Sequence, residues 1–83
     1  MPKLKQSPKD MMDNSFRAAI ANGMELATMD YPTLAGRLGI GESTLRRHRS
    51  NPSQCNLNEL RALCRLLSIT PKQLCDICGV RYQ

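Results

Sequence analysis

Apolar side chains recur along this chain at intervals of three and four. From Pro8 to about Thr28 they fall at Met12, Phe16, Ala19, Ile20, Met24 and Ala27, with Gly23 in the same row. That is one stripe of an α-helix. Ser7, Pro8 and Asp10 supply its start: a hydroxyl cap, a proline in the first turn and an early acid. A glycine inside the stripe predicts a close approach by a second helix. A second helix is predicted from Tyr31 to Leu38, capped by Asp30, with Leu34, Ala35 and Leu38 on one side and Gly39 as a left-handed stop. A third runs from Glu42 to about Ser50, where Asn51-Pro52 breaks it, and residues 51–56 form a loop. The fourth opens on a capping box, Asn56 with Glu59, and carries Leu60, Leu63, Cys64 and Leu67. The fifth opens on another, Thr70 with Gln73, turns Leu74, Ile77 and Cys78 inward and ends at Gly79. The expectation is an all-α, compact five-helix bundle in one domain, residues 7–79, with a flexible basic tail at 1–6 and a short tail at 80–83.

Composition agrees with that pattern and narrows it. Within 83 residues there are one Phe, two Tyr and no Trp, so Leu, Ile, Ala and Met must build the core. The length excludes a dinucleotide-binding enzyme or a barrel. No apolar run approaches the ~18 residues that cross a bilayer, and no apolar stretch follows the N-terminal lysines, so neither a membrane span nor a secretory signal is expected. Twelve Lys and Arg stand against seven Asp and Glu, a net charge of +5 that suggests a polyanionic partner.

Residues 31–50 sharpen that suggestion. Two short helices meet at a glycine, with Ala35 four residues before Gly39 and Leu45 six after it; this is helix-turn-helix spacing. Ala35 is small where the helices cross, and Ile40 and Leu45 fill the angle between them. The run LAGRLGIGESTLRR resembles the Cro/repressor-type (XRE-like) helix-turn-helix family, and ELRALCRLLSITPKQL resembles that family's later helices. The resemblance implies a lambda-repressor-like fold with the motif at the second and third helices. It also implies double-stranded DNA as the partner and the role of a small transcriptional regulator, bacterial or phage-encoded and cytoplasmic.

At 100° per residue, Thr44, Leu45 and His48 share one side of the third helix, while Glu42, Ser43, Arg46 and Arg47 share the other. Leu45 must face the core, so the second group faces outward, where a recognition helix meets base edges. Arg46 and Arg47 match guanine O6 and N7, or clamp phosphate. Ser43 reaches either a base or a phosphate. Glu42 accepts from cytosine N4, or pairs with Arg46 one turn on. Tyr31 and Thr33 fall where the family touches phosphate, with Arg37 a further candidate. Arg49, Asn51 and Ser53 form a second candidate clamp where the chain leaves the helix. His48 stands where the family has an apolar residue, and reads first as a half-buried ring packed on the fourth helix.

Cys75 and Cys78 have the spacing of half a zinc site, but Cys64 and Cys78 also fit apolar stripes, so free buried thiols are favoured and no metal or other cofactor is expected. The single histidine, the scattered carboxylates and the lack of any phosphate loop argue against an enzyme or a small-molecule substrate. A domain of this size reads about four to six base pairs, so a homodimer on a palindromic operator is expected. The alternative is a helix-turn-helix module that binds protein instead of DNA, such as an antirepressor or an antitoxin component.

Overall fold

A computed structural model of the chain describes residues 7–80. The predicted tail at 1–6 and residues 81–83 lie outside the described residues. Five α-helices follow one another: α1 (Pro8–Leu26), α2 (Tyr31–Leu38), α3 (Glu42–Ser50), α4 (Leu57–Leu66) and α5 (Pro71–Cys78). A single 3-10 turn, Pro52–Gln54, joins α3 to α4, and no strand occurs among the described residues. The helix starts follow the chemistry of their caps. Ser7 Oγ accepts from the Asp10 amide, Asp30 from Thr33, Asn56 from Glu59 and Thr70 from Gln73.

One helix end differs from the sequence expectation. Helix α1 stops at Leu26 instead of near Thr28. Thr28 adopts a left-handed φ of 52°, and the Met29 amide turns back to the Met24 carbonyl at 2.9 Å. Helix α4 ends the same way, with Ser68 at φ 52° and the Ile69 amide on the Cys64 carbonyl at 3.1 Å. These are left-handed stops without glycine, stabilised by Met29 and Ile69 folding onto the core. Ala27, read as part of the stripe, is therefore exposed.

The core joins Phe16, Ile20 and Met24 of α1 with Leu34 and Ala35 of α2, Leu45 of α3, and Leu63 and Leu67 at α4. Gly23 is where α1 meets the end of α4: a Cβ there would lie 2.6 Å from Leu67 Cβ and 3.1 Å from its carbonyl oxygen. Helix α5 lies along α1 and contributes Ile77 at the edge of the core. Cys78, expected inward, is exposed. Met12 packs instead against Gly79, one residue further on, with its Sδ 2.6 Å from where a Cβ would lie.

Candidate nucleic-acid interface

Helices α2 and α3 form the predicted motif. Gly39 ends α2 at φ 76°, with its amide and that of Ile40 returning to carbonyls of α2. Only Gly39, Ile40 and Gly41 separate the helices. Leu45, 1% exposed, fixes the rotation of α3 by anchoring it in the core. With that anchor, Ser43, Arg46 and Arg47 are exposed and Glu42 is half-buried. Helix α3 is apolar at a single buried residue and basic in its last turn. Burial of one leucine is worth only about 2 kcal/mol, so contacts beyond Leu45 must hold this helix.

Two such contacts are present, the first from a side chain to which the sequence assigns no role. Arg17 on α1 reaches the end of α3, where Nε donates to the Arg49 carbonyl at 3.1 Å and Nη2 to the Ser50 carbonyl at 2.8 Å. Its third nitrogen donates to Asn14 Oδ1 at 2.9 Å. The last carbonyls of a helix lack partners within it and carry partial negative charge, so a guanidinium suits them. The available signal was Arg17 itself, the lone cation between Lys9 and Arg37. The second contact joins α3 to α4. His48 Nδ1 lies 2.8 and 2.9 Å from the two Glu59 carboxylate oxygens, with these side chains 13% and 6% exposed. His48 is thus half-buried against α4 as expected, but as one half of a polar pair. The capping box predicted at Asn56 forms only in part: Asn56 accepts from the Glu59 amide at 2.7 Å, while the Glu59 carboxylate serves His48. Beside it, burial, with Glu59 adding to it, pushes the Cys55 thiol up to about 12.

The outward face is also organised. Glu42 pairs with Arg46, with Oε2 at 3.0 Å from Nε and 2.9 Å from Nη2. The Arg46 guanidinium stands 4.3 Å over the centre of the Tyr31 ring, within cation–π range. The fold therefore brings Tyr31 of α2 together with Glu42 and Arg46 of α3. Arg47 is exposed with no ion pair among the described residues. Thr33 and Arg37 are exposed on α2, and hydrogen bonds from Thr33 hold the Asp30 carboxyl below its ordinary value. Beyond α3, Ser53 Oγ donates to Asn51 Oδ1 at 2.7 Å, and both residues are exposed. Arg49 is less free: it is half-buried, and its Nε is shielded without a partner among the described residues. Among the described residues, no three His, Cys, Asp or Glu side chains converge as a metal site, and no helix is long and apolar enough to cross a membrane.

A glycine-hinged helix pair whose second helix is anchored by one leucine, with polar and basic side chains outward, defines a helix-turn-helix DNA-binding domain. The particular family follows from comparison with known proteins. Residues 20–78 match the Cro/C1-type HTH DNA-binding domain, and the chain belongs to that family. Neither the curated proteins nor the solved structures contain a match to the chain.

Proposed function

We propose that this DNA-binding domain acts as a sequence-specific transcriptional repressor that lays the N-terminal half of α3 in the major groove. The observation that carries the reading is the outward set Glu42, Ser43, Arg46 and Arg47, opposite the buried Leu45. Guanidinium and carboxylate groups there match the donors and acceptors of base edges, which differ for every base pair in the major groove. Tyr31, Thr33 and Arg37 on α2, and Arg49, Asn51 and Ser53 after α3, flank that set and contact phosphate on either side. Two copies bind a palindrome with half-sites one helical turn apart, about 34 Å. Occupancy of a promoter then blocks transcription without any catalytic step, in the cytoplasm of a bacterium or as a phage-encoded product.

Selection of bound sites from random duplex DNA by the full chain tests this. The expected result is a short inverted repeat, bound far more tightly than random duplex. Binding that depends steeply on salt but selects no sequence would replace the reading with nonspecific phosphate attraction. No binding at all would favour the protein-interaction module.

A further inference from the structure

We infer that Glu42 and Arg46 act as one unit that reads both bases of a single C·G pair in each half-site. The inference rests on the proposed DNA reading and adds a base identity to it. A surface pair one helical turn apart is ordinarily mobile. This one is braced, because the Tyr31 ring supports the Arg46 guanidinium at 4.3 Å while Glu42 Oε2 engages Nε and Nη2. The bracing uses one carboxylate oxygen. Glu42 Oε1 and Arg46 Nη1 have no partner among the described residues. The unit thus presents a free acceptor and a free donor on two side chains that the ion pair holds together.

The major-groove edge of a C·G pair is the complement. Cytosine offers the N4 amino donor, and guanine beside it offers the O6 and N7 acceptors. N4 and O6 are hydrogen-bonded to each other, so they lie about 2.9 Å apart. The contacts of 2.9 and 3.0 Å from Glu42 Oε2 to the Arg46 nitrogens keep the two side chains adjacent, so that the free Oε1 and Nη1 are offered together. The carboxylate faces N4 and the guanidinium faces O6 and N7, so the ion pair survives binding and neither charge enters the groove alone. A T·A pair reverses the first two groups. Thymine O4 then meets the carboxylate, acceptor against acceptor, and the adenine amino group meets the guanidinium, donor against donor. The unit therefore selects C·G and rejects T·A by repulsion as well as by lost bonds.

The test is a matrix of single base-pair substitutions in the selected site, measured by fluorescence anisotropy with the full chain. For the wild type, one C·G pair per half-site should lose about 5- to 150-fold affinity when replaced by T·A. Glu42→Gln and Arg46→Gln should each flatten that preference at the same pair and leave the other positions unchanged. Tyr31→Phe keeps the ring and should keep the preference, while Tyr31→Leu should weaken it. Circular dichroism of each variant checks that the fold is intact; all three positions lie at the surface or are half-buried. An unaltered base preference in Glu42→Gln, or effects of the Glu42 and Arg46 variants at different base pairs, would overturn the inference and leave the DNA reading standing. A wild type that selects no sequence would overturn both.

Discussion

The His48–Glu59 pair ties α3 to α4 through two largely shielded side chains. Replacing His48 with Leu fills the position with an apolar side chain but leaves the Glu59 carboxylate, 6% exposed, without its partner. Leaving a buried acceptor without its hydrogen-bond partner costs about 1–3 kcal/mol. Because the Glu59 side chain is a shielded carboxylate, the upper end, about 3 kcal/mol, is expected. An 83-residue chain has about 4–12 kcal/mol of total stability, so this loss is a large fraction of it. The melting temperature should fall by about 12–24 °C. Replacing both residues, His48→Leu with Glu59→Leu, removes the stranded charge and should return stability to within about 1 kcal/mol of wild type. Urea unfolding of the two single variants and the double variant, followed by far-UV circular dichroism, gives the coupling directly. If His48→Leu alone is as stable as the wild type, the pair does not hold α3 against α4 and the reasoning fails.

Other expectations follow from single positions. Gly23→Ala and Gly36→Ala are the same change inside a helix, but a Cβ meets Leu67 at 2.6 Å in the first case and open space in the second. Thermal denaturation should show a loss of about 1–2 kcal/mol for Gly23→Ala and a gain of about 1 kcal/mol for Gly36→Ala. Arg17→Ala removes both carbonyl contacts at the end of α3. It should cost about 2 kcal/mol of stability and weaken binding to every DNA sequence alike, and a change in base preference would contradict a purely positioning role. Cys55, with its thiol pushed up to about 12, should be alkylated by iodoacetamide more slowly than the exposed Cys78 at pH 8, and equal rates would contradict its burial. A raised thiol favours the folded state below the unfolded value of 9.0, and that contribution fades as the pH climbs from there toward 12. Alkaline unfolding of Cys55→Ser should lack that component.

What the sequence made legible and what it hid have physical causes. Helices α2 and α3 were readable to the residue because Asp30, Gly39 and Asn51-Pro52 are local signals that act through their own backbone. The end of α1 was not, because Thr28 takes a left-handed conformation that favours glycine, held there by the core contact of Met29. The outward face of α3 was legible because one leucine sets the helix rotation. The contacts that make the face rigid were not. Arg17 meets α3 across more than thirty residues of sequence, and Tyr31 meets Arg46 only once the turn at Gly39 has folded the two helices together. Only half of the Asn56–Glu59 capping box forms, for a related reason. The local partner of Glu59, the Asn56 amide, lost to His48, which tertiary packing brings within 2.8 Å.

The central claim, that residues 42–47 read base edges in the major groove, is tested most directly by dimethyl sulfate footprinting of the full chain on its selected site. Dimethyl sulfate methylates guanine N7, which lies in the major groove, and adenine N3, which lies in the minor groove. The account predicts that the bound wild type shields guanine N7 in two patches one helical turn apart and leaves adenine N3 reactive. Arg47→Ala should lose part of that protection. Bound complex in which every guanine N7 stays reactive would contradict the account.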